Sequence, residues 1–137
     1  MSQKRLRVLV VEDSRAINEV LSFNLKRAGF EVEQALNPRI ALELMEHQSF
    51  DLISTDYQMP EMNGIEFIRR IRDDPRFINI PVILCTAKQY EIDEEQLKRD
   101  LNIFECICKP FSPREMVEII RAKLNTTTAQ SVLVDTP

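Results

Sequence analysis

The chain has 137 residues, 44% apolar and 29% charged, with a net charge of −4. That length fits one domain with one core, and the acidic balance argues against a nucleic-acid binder, which would need a basic footprint for phosphates. Only two glycines are present, Gly29 and Gly64, so no glycine-rich loop can cradle a phosphate; the single histidine, His47, disfavours an H-E-x-x-H zinc site and leaves a Ser-His-Asp triad only that one residue.

No window approaches the roughly 20 apolar residues of a membrane span, and the polar, basic start does not read as a secretory leader. Cys85, Cys106 and Cys108 are odd in number and lie in apolar runs, which reads as buried free thiols. A cytoplasmic protein is expected.

The elements alternate. Leu6–Val11 is a nearly continuous aliphatic run, as in a strand buried on both faces. Ser14 can cap a helix with apolar positions Ile17, Val20, Leu21 and Leu25, which Gly29 ends. Phe30–Ala35 is a second strand. Asn37–Pro38 opens a second helix along Ile40, Ala41, Leu44 and Met45, with His47 at its end as a surface residue. Phe50–Thr55 is a third strand and Gly64–Arg72 a third helix. Pro81–Cys85 is a fourth strand, Glu91–Leu101 a helix poor in apolar residues, and Phe104–Cys108 a fifth strand. Ser112–Pro113–Arg114–Glu115 reads as a capping box opening a last helix through Leu124. Residues 1–124 are thus expected to form the domain, and the polar stretch 125–137 a flexible tail.

Strict βα alternation implies a five-stranded parallel sheet with helices on both faces, with ligands at the carboxyl ends of the strands. Those ends carry Glu12 and Asp13, then Asp56, Thr86 and Lys109. Three crowded carboxylates repel one another unless a cation joins them, and an all-oxygen donor set suits Mg²⁺. Lys109 and Thr86 suit an anion at the same place. Carboxylates, Mg²⁺, lysine and a hydroxyl make a phosphoryl-transfer site, with Asp56 as the nucleophile.

The stretches Val8–Ser14 (V-L-V-V-E-D-S), Asp56–Gly64 (D-Y-Q-M-P-E-M-N-G), Leu84–Ala87 (L-C-T-A) and Lys109–Phe111 (K-P-F), in this order, resemble the response-regulator receiver domain of two-component signalling, of the stand-alone chemotaxis type. The resemblance runs from Arg5 to about Leu124. It implies a doubly wound α/β fold, (βα)5 and flavodoxin-like, with strand order 2-1-3-4-5. It further implies that Asp56 is the phosphoacceptor, and that Asp13, Asp56 and the Gln58 backbone carbonyl bind Mg²⁺ with Glu12 acting through water. Thr86 and Lys109 would contact the phosphoryl group, the Lys109–Pro110 bond would be cis, and Gln58 and Lys88 would modulate phosphate lifetime. The donor would be a sensor histidine kinase or a histidine phosphotransfer protein. Output would be a phosphorylation-dependent contact with a downstream protein, with no nucleic acid bound by this chain alone and no membrane.

One departure stands out. Receivers usually carry an aromatic switch residue where this chain has Cys106, and a thiol cannot swing a ring toward Thr86. Output is therefore expected through the loop after Thr86 and the helix that follows. Two other readings stay open: a phosphorelay intermediate passing phosphate to another histidine, and a Mg²⁺-dependent phosphohydrolase with an Asp nucleophile. Against the latter, Asp56–Tyr57–Gln58 lacks the second acid of a D-x-D motif.

Overall fold

The computed structural model describes residues 5–87 and 93–135. Five strands, β1 (Arg7–Val11), β2 (Glu31–Ala35), β3 (Leu52–Asp56), β4 (Val82–Ala87) and β5 (Glu105–Lys109), form one sheet in the order β2-β1-β3-β4-β5. Every pairing is parallel. Helices α1 (Arg15–Arg27), α2 (Pro38–His47), α3 (Gly64–Arg72), α4 (Glu94–Leu101) and α5 (Pro113–Asp135) join or follow the strands, and a short 3₁₀ turn covers Pro75–Phe77. The parallel sheet with helices on both faces is the one expected from the alternation, and the doubly wound (βα)5 order 2-1-3-4-5 is the one the resemblance implies.

Two apolar layers hold the sheet. Because successive strand residues face opposite sides, Val8 and Val10 of β1 point to one layer, with Leu52, Ile83, Leu25, Met116 and Ile120. Leu9 and Val11 point to the other, with Ile53, Leu84, Phe67, Ile68 and Ile71. Helices α1 and α5 close the first layer, and α2, α3 and α4 the second.

Local chemistry sets the helix starts. The Ser14, Asn37 and Asp93 side chains each accept an N–H of the first turn. Asn63 and Glu66 make a reciprocal capping box ahead of α3, at 2.9 and 3.3 Å. The Ser112 hydroxyl accepts from the Glu115 N–H at 3.2 Å. Gly29 leaves α1 with φ +103°, a conformation that suits glycine.

Three expectations change. The buried face of α1 is Asn18, Leu21, Ser22 and Leu25, whereas Ile17 and Val20 are exposed. Of the thiols, all free, only Cys85 is buried; Cys106 is half-buried and Cys108 exposed. Strand β5 lies at the sheet edge, so its Ile107 faces the core while Cys108 points to solvent. The backbone of α5 stays helical past Leu124 to Asp135, across a stretch without glycine or proline to stop it. The start of the α4 segment, Glu91 and Ile92, lies outside the described residues, as does Lys88.

Candidate functional site

Parallel pairing puts the carboxyl ends of β1, β3, β4 and β5 on one edge of the sheet. There Glu12, Asp13, Asp56, Gln58, Ala87 and Lys109 line a cleft of about 500 Å³. Glu12 and Asp56 are buried, at 4% and 7% exposure, while Asp13 opens to solvent. One carboxylate oxygen from each of the three lies within 4.8 Å of the others.

Lys109 reaches across from β5. Its Nζ lies 2.9 Å from Asp56 Oδ1 and 3.0 Å from Glu12 Oε1. The second Glu12 oxygen accepts from the Ser14 N–H at 3.0 Å. Burial is the largest influence on Asp56 and pushes its pKa up; Lys109 pulls against it and the Asp13 charge adds to it. Glu12 is likewise raised by burial, against the pull of Ser14 and Lys109. For Lys109 burial acts downward, but its hydrogen bonds to Asp56 and Glu12 prevail and the net shift is up.

Among the described residues the cleft gathers three carboxylates and one ammonium, and is short of positive charge. The donor set is all oxygen and partly exposed, which suits a hard divalent cation and leaves room for its water ligands.

Gly64 shapes the rim. Its N–H donates to the Tyr57 carbonyl at 2.7 Å, and a Cβ there would strike the Asp56 carbonyl and lie 2.9 Å from Tyr57 Cα. The Asp56–Gly64 loop carries a tight turn at Pro60–Met62, where the Met62 N–H donates to the Pro60 carbonyl at 2.8 Å and Glu61 has φ +71°. On the far side, the Lys109–Pro110 peptide is cis.

Of the residues singled out in sequence, Glu12, Asp13, Asp56, Gln58 and Lys109 meet in this cleft. Thr86 does not line it. Its hydroxyl donates to the Ala87 carbonyl at 3.2 Å, and its neighbour Ala87 borders the cleft instead. Cys106 is half-buried against the α2–α4 layer, and burial pushes its thiol up to about 11. Met59, Met62 and Phe111 pack, and His47 is exposed, as expected of it. Sequence reasoning missed Asn18, a fully buried amide under the Glu12 loop, because a lone polar residue in an amphipathic helix reads as solvent-facing.

Among the described residues, no helix is long and apolar enough to cross a membrane.

The description "response regulator receiver domain" matches residues 8–121. The phosphate regulon transcriptional regulatory protein PhoB of Pseudomonas aeruginosa is 36% identical over 120 residues, 88% of this chain and 52% of that protein. A CpxR homologue, a transcriptional regulatory protein of Haemophilus influenzae, is 36% identical over 125 residues, 91% of this chain and 53% of that protein. The chain thus spans about half the length of these two relatives. Among solved structures, the chemotaxis response regulator CheY4 of Vibrio cholerae superposes with a TM-score of 0.77 at 29% identity, covering 86% of this chain and 98% of that one. A CheY-like receiver domain protein of Methanospirillum hungatei gives 0.80 at 26% identity, covering 93% and 99%. Fold, strand-end residues and these likenesses agree, and the chain belongs to the response regulator receiver domain family of two-component signalling.

Proposed function

We propose that this receiver takes a phosphoryl group onto Asp56 from a phosphohistidine of a sensor histidine kinase or phosphotransfer protein. It would then signal by a phosphorylation-dependent contact with another protein. The observation that carries this reading is the buried Asp56 carboxylate at the end of β3, held by Lys109 at 2.9 Å with Glu12 and Asp13 beside it.

An Asp56 carboxylate oxygen attacks phosphorus; the O–P bond forms as the P–N bond breaks. The imidazole nitrogen of the donor keeps that electron pair and takes a proton from solvent. Lys109, already at the carboxylate, shifts its charge onto the phosphoryl oxygens. The Thr86 hydroxyl leaves the Ala87 carbonyl and donates to one of them. Mg²⁺ would be held by Asp13, Asp56 and the Gln58 carbonyl, with Glu12 through water, and when bound it supplies neutralising charge to the phosphoryl oxygens. Gln58 borders the cleft, where it can influence the water that later hydrolyses the acyl phosphate.

Docking has a surface beside the cleft. Ile17, at 42% exposure, lines the cleft itself, and Val20 and Phe23 continue the exposed apolar line along α1. A donor that buries this ridge brings its phosphohistidine to Asp56.

The test is incubation with acetyl phosphate and Mg²⁺, read by intact mass. A gain of about 80 Da, removed by hydroxylamine and lost in Asp56→Asn, is expected. Persistent absence of the adduct with acetyl phosphate and with phosphorylated donor proteins would refute the reading.

A further inference from the structure

Asn18 sits on the first turns of α1 at 0% exposure, and Ser22, one turn on, is also at 0%. Neither touches the cleft. An amide buried in an apolar layer is costly unless its hydrogen bonds are met, so its partners show what holds it there.

The Asn18 Nδ2 lies 3.1 Å from the Glu12 carbonyl, 3.1 Å from the Ala35 carbonyl and 3.3 Å from the Val10 carbonyl. With two protons for three acceptors, one of these contacts is shared. The Ser22 hydroxyl donates to Asn18 Oδ1 at 3.1 Å. Three carbonyls on one side and a hydroxyl donor on the other fit only one orientation of the amide.

These carbonyls are not scattered. Val10 and Ala35 lie at or beside the last rungs of β1 and β2, and the Ala35 carbonyl also accepts the Glu12 N–H at 3.1 Å. Asn18 therefore continues the sheet's hydrogen bonding one step past its edge, where β1 has left the ladder and turns toward α1. The Glu12 carbonyl shares a rigid plane with the Asp13 nitrogen. Holding that oxygen fixes the direction in which Asp13 leaves, and so where its carboxylate stands relative to Glu12 and Asp56.

We propose that Asn18, held by Ser22, is a positioning residue for the Glu12–Asp13 pair and sets how well the cleft binds a divalent cation. This rests on the reading of the cleft as a Mg²⁺ site. Outer residues that orient metal ligands are typically worth roughly 10–100-fold in affinity. A solvent-facing polar residue elsewhere on α1, such as Glu19, has no such lever.

The test compares wild type with Asn18→Leu, which keeps volume but removes the amide. Ser22→Ala is the milder second variant should Asn18→Leu not fold, and Ile120→Val is a control that weakens the same apolar layer away from the cleft. Two quantities are read. One is amide hydrogen exchange at Glu12 and Ser14 in metal-free protein; the other is the Mg²⁺ dissociation constant by calorimetry. Exchange at both amides should speed up, and Mg²⁺ should bind about 10–100-fold more weakly in Asn18→Leu. Ser22→Ala should shift both in the same direction by less, and Ile120→Val should leave the dissociation constant unchanged.

Unaltered exchange in Asn18→Leu, or in Ser22→Ala if that is the variant that folds, overturns the proposal. So does faster exchange with unchanged Mg²⁺ affinity, or an equal loss of affinity in the control. If wild type binds no Mg²⁺ while exchange still responds to Asn18, the cation reading of the cleft falls and the link from Asn18 to cation binding falls with it. The hydrogen-bond role at Glu12 is then left standing alone.

Discussion

The two glycines differ in why they are glycines, and that difference is measurable. At Gly64, the first residue of α3, a methyl group would meet the Asp56 carbonyl, Tyr57 Cα at 2.9 Å and Leu84 Cδ1 at 3.0 Å. The first two are backbone and cannot turn aside. Helix preference alone would favour alanine over glycine by up to about 1 kcal/mol. Forcing an extra methyl into a filled space costs about 1–3 kcal/mol, and the immovable backbone puts Gly64 at the upper end. Gly64→Ala should therefore destabilise by about 2 kcal/mol net, a fall in Tm of about 6 °C for a chain of this size. Because the displaced atoms belong to Asp56 and Tyr57, the rate of phosphorylation by acetyl phosphate should fall as well. Gly29 has φ +103°, and a methyl group added there would meet nothing within 4 Å. Gly29→Ala should cost about 1–2 kcal/mol through the backbone alone and leave the phosphorylation rate unchanged. Thermal unfolding and single-turnover phosphorylation of both variants decide the matter. A Gly64→Ala protein as stable as wild type, or one destabilised but phosphorylated at the wild-type rate, would refute the steric argument.

Two further outcomes follow from charged side chains away from the cleft. Arg72 donates to the carbonyls of Phe77, Ile80, Leu101 and Asn102 at 2.7–3.0 Å, tying the end of α3 to the end of α4. Arg72→Ala should cost about 3 kcal/mol in denaturant unfolding, and Arg72→Lys should recover little, because an ammonium cannot span four carbonyls. Arg76 binds Glu46 and Asp74, and its hydrogen bonds hold both carboxyl groups below their ordinary values. Depressed carboxylate pKa values give stability that is complete above the unfolded-state values and is lost as pH falls through the folded ones. The stability gap between wild type and Arg76→Gln should thus be constant above about pH 5 and shrink below it; a gap that widens in acid would contradict the assignment.

What the sequence exposed, and what it hid, has a physical pattern. Strands buried on both faces leave unbroken apolar runs, so Val8–Val11 and Val82–Leu84 stand out, and a charged residue that ends such a run stands out too. Glu12 was visible for that reason, and Asp56 and Lys109 because the alternation lines up the carboxyl ends of the strands that they close. Asn18 and Ser22 were not, since polar residues in an amphipathic helix point outward by default, and only the folded chain brings the Val10, Glu12 and Ala35 carbonyls to Asn18 and the Asn18 amide oxygen to Ser22. Arg72 was hidden likewise, because its four acceptors come from separate turns of the chain. The exposure of Ile17 and Val20 was missed for the converse reason: periodicity marks apolar residues but does not say whether this chain or a partner covers them. Cys108 was misplaced because its burial depends on β5 lying at the edge of the sheet, which alternation alone does not reveal.

The charge balance of the cleft yields the last expectation. Among the described residues, Glu12, Asp13 and Asp56, when all are ionised, face one ammonium, that of Lys109, which is shared between Glu12 at 3.0 Å and Asp56 at 2.9 Å. Two negative charges are then in excess, the amount one divalent cation would cancel. Lysine and cation therefore draw on the same field. Lys109→Met leaves Glu12 and Asp56 buried without their shared partner, and metal-free protein should lose about 2 kcal/mol, less than for a fully buried pair because the Lys109 side chain is 26% exposed. A ligand that binds only the folded state stabilises it in proportion to the logarithm of its relative concentration. Since the competing ammonium is gone, Mg²⁺ should raise the Tm of Lys109→Met by more than it raises that of wild type, even as phosphorylation slows for want of the lysine. Calorimetric scans with and without Mg²⁺ read the two increments directly. A smaller Mg²⁺ increment in the variant would mean that lysine and cation assist rather than compete with one another, and that the excess charge is not what the cation answers.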